Sequence, residues 1–198
     1  MSYRWDERYD QDGFLFGTEP NDFLREQACR IPEGGRVLCL GDGEGRNGVW
    51  LAEQGYQVTS VDLSQVGLDK TRRFAKERGV SIETVYADLA EWPIEPQAWA
   101  GIVSIFCHMM PDERRHMHPR IVKGLKPGGV FLLEAYTPDQ IDKGTGGPSN
   151  PDLLVTAEDI IPEIDGLNIL LAQDIEREVI EGISHTGLAS VTQVFAIK

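Results

Sequence analysis

Short strand-like runs separated by helical patterns constrain this chain of 198 residues more than any other feature. Residues 36–41, 57–61, 81–86, 101–106 and 130–135 are rich in apolar and β-branched side chains. A strand with one wet face alternates polar and apolar residues. Runs with little alternation suit strands covered on both faces, as in a parallel sheet. Between them, residues 47–54, 65–78 and 112–124 carry helical periodicity. Strand and helix in alternation build βαβ units, so the expected fold class is α/β, a Rossmann-like doubly wound sheet.

The pattern changes towards the end of the chain. Residues 168–181 and 187–198 are two long runs with no helix between them, joined by Gly182-Ile183-Ser184-His185-Thr186. That arrangement predicts an antiparallel hairpin added to an otherwise parallel sheet. Residues 136–151 are rich in Gly, Pro, Ser and Asn. So long an irregular connection inside a compact domain is expected to be either a functional loop or a disordered one.

Charge and cysteine usage narrow the function classes. There are 32 acidic and 19 basic residues, a formal net charge of −13, which disfavours a phosphate backbone as partner. Two basic clusters, Arg72-Arg73 with Lys76 and Arg78 and Arg114-Arg115 with Arg120 and Lys123, read as solvated helix faces. Cys29, Cys39 and Cys107 are scattered and form no Cys-x-x-Cys pair, so reduced thiols are expected rather than a disulfide framework or zinc ribbon. His116 and His118 are two apart, off a common helix face, and read as surface or capping residues, so no metal is expected. With no apolar run near ~18 residues and a polar start, the expected location is the cytoplasm, without a membrane partner.

The chemistry concentrates in one strand–turn–helix. Val37-Leu38-Cys39-Leu40 runs into Gly41-Asp42-Gly43-Glu44-Gly45, followed by Arg46-Asn47 at the start of a helix. Glycines at alternate positions permit a sharp turn and close approach of a ligand, and the helix start offers free N–H groups to an anionic group. Taken literally, Gly43-x-Gly45-x-x-Gly48 matches the dinucleotide fingerprint, with Asp62 placed 19 residues after Gly43 for a ribose. The strand, however, delivers the chain into Gly41, and counting from there puts Arg46 at the third glycine position.

Counted from Gly41, the loop resembles the Gly-x-Gly-x-Gly motif of class I S-adenosylmethionine-dependent methyltransferases. The resemblance implies a seven-stranded sheet and S-adenosyl-L-methionine as cofactor. It assigns Asp62 and Leu63 to the ribose, and Asp88 and Leu89 to the adenine. Gly41, Asp42, Gly43, Gly45, Arg46 and Asn47 go to the cofactor's remaining polar groups, and Ile105 and Phe106 to the methionine side. Leu125-Lys126-Pro127-Gly128-Gly129 looks like the turn that introduces the fifth strand. One departure is Cys39, which stands where the family usually has an acidic residue.

Trp5-Asp6-Glu7-Arg8-Tyr9, Phe16-Gly17-Thr18-Glu19-Pro20-Asn21, Gly146-Gly147-Pro148 and Glu181-Gly182 with His185 resemble the small bacterial tellurite-resistance and thiopurine-type methyltransferases. The aromatic residues Tyr3, Trp5, Tyr9, Phe14 and Phe16 suit a lid, with Trp5 towards the cofactor and Tyr9 towards the substrate. His108, at the end of the fourth strand, is the expected catalytic group, and His185, on the predicted hairpin turn, is expected to face the substrate. Neither an Asn/Asp-Pro-Pro-aromatic motif nor a Pro-Cys pair is present, which lowers nucleic acid methylation further.

The expectation is therefore one domain over 1–198, with a lid at 1–30, a cofactor core at 31–135, a substrate loop at 136–166 and a hairpin at 167–198. It would act on a small-molecule or metalloid acceptor, a soft sulfur, selenium or tellurium nucleophile, as monomer or homodimer. A non-catalytic cofactor-binding module and a nicotinamide-dependent oxidoreductase are the alternatives.

Overall fold

The computed structural model describes Ser2–Lys198, with side chains from Trp5 onward. Seven strands form one sheet in the order β3-β2-β1-β4-β5-β7-β6. They are β1 (Arg36–Leu40), β2 (Gln57–Asp62), β3 (Glu83–Tyr86), β4 (Trp99–Ile105), β5 (Leu125–Tyr136), β6 (Asn168–Glu181) and β7 (His185–Ile197). β1 to β5 pair in parallel, while β7 runs antiparallel to both β5 and β6.

Both faces of the central strands are buried, as their composition requires. Leu38, Leu40, Ile102, Phe131 and Leu133 pack on one face against Met117 and Ile121 of α5 (Pro111–Gly124). The alternate residues Val37, Cys39, Val103 and Leu132 pack on the other. There they meet Phe23 and Leu24 of α2 (Asp22–Gln27) and Leu51 of α3 (Arg46–Glu53). Ser64 caps α4 (Gln65–Glu77), its Oγ accepting from the Gly67 N–H at 3.0 Å. Parallel register aligns Asp62 with Tyr86 and Ile105 with Glu134, so the strand ends share one rim.

The structure moves several expected boundaries. β4 begins at Trp99 and β5 at Leu125, which pair with each other before an irregularity in the register. β7 begins at His185, which pairs with Glu181, so the hairpin turn is only residues 182–184.

The second basic cluster and the histidine pair need a larger correction. His116 is exposed, but His118 is buried, with its Nδ1 2.7 Å from Glu163 Oε2. Arg114 is also buried and donates to both oxygens of Glu163. Arg120 turns back to donate to the carbonyls of Leu89, Ala90 and Trp92. These side chains tie α5 to the segments beside it, where buried or half-buried cations require partners.

Candidate active site

The three loop glycines adopt left-handed conformations, with φ of +60° at Gly41, +56° at Gly43 and +86° at Gly45. That is the reason for glycine at each. Close approach reinforces it: a Cβ on Gly41 would lie 2.7 Å from Cys107 Sγ, and one on Gly43 would lie 2.4 Å from Tyr9 Oη. Gly48, the third glycine of the literal fingerprint, serves packing instead. A Cβ there would strike Asp42 and Ser60.

Asp62 ends β2 beneath this loop. Its Oδ2 accepts from the Gly43 N–H and its Oδ1 from the Ser64 N–H, both at 2.8 Å. Each oxygen therefore keeps a lone pair for a further donor. Burial raises its pKa, against the pull of these backbone donors. Leu63 follows it, half-buried. Asp88 is exposed, with Oδ1 accepting from the Ala90 N–H at 2.9 Å, and Leu89 beside it is half-buried.

The N-terminal segment covers the loop. In α1 (Ser2–Tyr9), Asp6 accepts from Ser64 Oγ at 2.6 Å and from the Val66 N–H at 3.2 Å. Lys70 of α4 donates to the carbonyls of Gln11 and Gly13 and to Glu44, and Glu44 accepts from the Leu15 N–H. Trp5 stacks on Tyr9 with ring centroids 5.4 Å apart. The side chain of Tyr3 lies outside the described residues.

A second group of side chains gathers where β4 and β5 end. Phe106 takes φ of +50°, rare for a bulky residue, with its N–H on the Glu134 carbonyl at 2.7 Å. Its ring stacks on Tyr136 at 4.5 Å, and the His108 ring lies 5.7 Å from Tyr136 and 6.3 Å from Phe106. His185 enters from the hairpin, 4.4 Å from Phe16, 5.0 Å from Phe106 and 5.3 Å from Tyr136. Gly146 and Gly147 of the 136–151 loop close against Tyr136, since a Cβ on either would lie about 3 Å from its ring or hydroxyl. The turn at Gly182 packs on the backbone of Leu15, Phe16 and Gly17.

Three buried polar atoms in this cluster lack a partner among the described residues: His108 Nε2, Tyr136 Oη and His185 Nδ1. His185 Nδ1 is 3.7 Å from Glu181 Oε2, beyond hydrogen-bond distance. His108 Nδ1 faces the Leu153 carbonyl at 3.2 Å, an arrangement that puts its proton there and leaves Nε2 as an acceptor. Burial lowers the His108 pKa to about 4, and burial also lowers that of His185, so both rings are neutral at pH 7. Burial raises the Tyr136 pKa, so its hydroxyl stays protonated as a donor.

Several expected cofactor residues have other employment. Asp42 turns inward, accepting from Ser60 Oγ and from the Gly48 N–H at 3.3 Å, and burial raises its pKa to about 7. Asn47 uses Oδ1 to hold the Asn21 N–H at 2.9 Å. The Arg46 guanidinium is 2.5 Å from Glu181. Ile105 points its side chain into the core beside Val103, so only its backbone reaches the rim. Tyr9 lies on the glycine loop rather than with His108 and His185. Cys39 is buried in an apolar cluster, where burial raises its thiol pKa. Cys107 is half-buried against Gly41, its pKa pushed up by burial to about 12.

Sequence reasoning missed the polar network behind this cluster. Fully buried Glu134 accepts from Asn21 at 2.7 Å and Gln193 at 2.6 Å and pairs with Arg177. Tyr136 was also missed, as an aromatic at a strand end carries no signal of its own.

A seven-stranded sheet of this order, with a glycine loop after β1 and an acidic residue ending β2, is the class I S-adenosylmethionine-dependent methyltransferase fold. This chain has that fold. Residues 37–129 match the family described as a methyltransferase domain. Among particular proteins, it is 30% identical over 118 residues to the tRNA 5-carboxymethoxyuridine methyltransferase of Escherichia coli, covering 58% of this chain and 45% of that one. It is 27% identical over 125 residues to the 2-heptyl-1-hydroxyquinolin-4(1H)-one methyltransferase of Mycobacteroides abscessus, covering 60% and 55%. The matched region thus spans about half the length of these relatives. In fold it resembles TehB of Haemophilus influenzae, at 17% identity and a TM-score of 0.75, covering 100% of this chain and 66% of that one.

Proposed function

We propose that this chain transfers a methyl group from S-adenosylmethionine to a small, soft acceptor of sulfur, selenium or tellurium type, seated between His108, Tyr136 and His185. The observation that carries the reading is that, among the described residues, three buried polar atoms without a partner belong to one cluster of contacting aromatic rings. Buried polar atoms are almost always paired, and groups left open at a strand-end rim point to a ligand. S-adenosylmethionine supplies an electrophilic methyl group on a sulfonium.

The residues at the rim fit that cofactor. Asp62 has free lone pairs for ribose hydroxyls, and the backbone of the left-handed glycine loop can approach a ligand closely. Asp88 and the Leu89 backbone would meet the adenine. Phe106 would offer a ring face to the sulfonium, while Trp5 is stacked on Tyr9 and carries the Arg8 guanidinium 4.6 Å from its ring centroid. The cover formed by α1 and residues 10–17 would keep water out.

The acceptor class follows from proton accounting. Both carboxylates near the cluster, Glu134 and Glu181, are held by other side chains. His108, with its pKa lowered to about 4, is too weak a base for an alcohol. A thiol, with an ordinary pKa of about 8.5, or a metalloid oxyanion yields an anion near neutral pH without a strong base. The Tyr136 hydroxyl would donate to that anion. The aromatic cluster and the net charge of −13 favour a small acceptor over RNA.

The test measures S-adenosylhomocysteine release with thiols, selenite, tellurite, phenols, amines and unmodified tRNA. Turnover with a soft acceptor is expected. In Tyr136→Phe, KM for that acceptor should rise while S-adenosylhomocysteine binding is unchanged. Reaction with only an amine, a phenol or tRNA would overturn the acceptor class. Cofactor binding without any turnover would favour a binding module, and binding of NAD alone would remove the whole reading.

A further inference from the structure

We propose that Arg46 is a positioning residue for the acceptor site, acting through Glu181 on His185, and not a cofactor ligand. The inference rests on the acceptor site proposed above. Its position in the chain argues the opposite, since Arg46 directly follows the last loop glycine and opens α3. The side chain goes elsewhere. Its Nη1 donates to the Glu19 carbonyl at 3.3 Å, and its Nη2 lies 2.5 Å from Glu181 Oε2. The residue is 7% exposed and Glu181 is 5% exposed, so neither charge is satisfied by bulk water.

Glu181 is where three parts of the molecule meet. Its Oε1 accepts from Asn21 Nδ2 at 2.8 Å, which brings in the N-terminal segment. Its Oε2 faces both Arg46 from the glycine-loop helix and His185 Nδ1 across the hairpin turn. The same Asn21 amide also binds Glu134, so the two buried carboxylates share one donor and balance Arg46 and Arg177. The network therefore fixes Glu181 from one side and leaves its Oε2 facing the imidazole of the aromatic cluster. The planar guanidinium holds the Glu19 carbonyl and the Glu181 carboxylate through two separate nitrogens in a fixed fork, a geometry that the compact ammonium of a lysine does not match.

The groups that face His185 are Glu181 on β6, Arg46 on α3, Arg8 on α1, His108 after β4 and Tyr136 on β5. Glu181 favours the imidazolium, while Arg46 and Arg8 oppose it. Arg46 thus does two things to His185: it orients the carboxylate beside the ring, and its charge adds to burial in disfavouring the imidazolium. Loss of Arg46 should free Glu181 to draw a proton onto His185.

Two measurements that need no acceptor test this. Carbon-13 NMR titration of the histidines, with His185 assigned by His185→Gln, reads the ring directly, and calorimetry reads S-adenosylhomocysteine affinity. In Arg46→Met the His185 midpoint should rise. In Glu181→Gln it should fall, and in Arg46→Lys it should lie between wild type and Arg46→Met. Affinity for S-adenosylhomocysteine should stay within about twofold in the two arginine variants. Should Arg46→Met fold poorly, Arg46→Lys and Glu181→Gln decide by the same readings. A loss of roughly tenfold or more in S-adenosylhomocysteine affinity would restore Arg46 to the cofactor and overturn the proposal. An unmoved His185 midpoint in these variants would overturn it as well. Failure of every acceptor to react would instead count against the acceptor reading, with the titration still deciding Arg46.

Discussion

Gly43→Ala separates two costs that the structure places on one atom. At φ of +56° an alanine is strained whatever the space around it, by roughly 1–2 kcal/mol. The added Cβ would also lie 2.4 Å from Tyr9 Oη and 3.0 Å from Cζ, so the ring must retreat by about 1 Å to reach ordinary contact. It has little freedom to do so. Tyr9 is 5% exposed and stacked on Trp5, and α1 is pinned through Asp6 to Ser64 and Val66. Unseating a buried aromatic side chain costs about 1.5–3 kcal/mol. Gly34→Ala supplies the control: φ there is +67°, and nothing lies within 4 Å of the new Cβ. Urea unfolding at constant m-value should show a loss of roughly 3–5 kcal/mol for Gly43→Ala against ~1–2 kcal/mol for Gly34→Ala. Losses equal within about 0.5 kcal/mol would refute the seating of Tyr9 on the glycine loop.

Asp62→Ala should weaken S-adenosylhomocysteine binding by roughly 10–100-fold in calorimetry, the effect of losing a charged acceptor to buried hydroxyls. Unchanged affinity would remove Asp62 from the ribose. For Asp42, burial raises the folded-state pKa to about 7, from an ordinary value of about 3.9 when unfolded. Between those values the folded chain binds the extra proton, so this group makes stability fall as pH rises from ~4 to ~7 and then level off. Asp42→Asn should flatten that decline, which across about three pH units amounts to up to about 4 kcal/mol, in denaturant midpoints measured across the window. An identical pH profile in the variant would place the titration elsewhere.

The sheet was legible because burial on both faces leaves a direct mark on composition. The runs that became β1 and β4 are largely apolar at successive positions for that reason, and the long pair at the end announced its hairpin by lacking a helix. The glycine loop was legible too, since left-handed backbone and close contact select glycine locally. Gly41, Gly43 and Gly45 all carry positive φ, as the sequence required. Asp62 could be placed beneath them because the position is set by one strand–helix–strand step.

What the sequence alone could not decide was where long polar side chains would reach. Arg46, Asn47 and Asp42 sit in the cofactor motif, yet they bind Glu181, Asn21 and Ser60. His118 and Arg114 lie on a helix that reads as solvated, yet both converge on Glu163. In each case the partner lies 18 to 135 residues away in the chain. A local pattern records whether a backbone needs glycine or a face needs apolar cover. A charge is satisfied by whichever opposite group the tertiary fold brings within 3 Å, and no period in the sequence encodes that meeting. The cluster of His108, Tyr136 and His185 belongs to the same kind, since the loop after β4, the end of β5 and the start of β7 supply one residue each and only their packing brings them together.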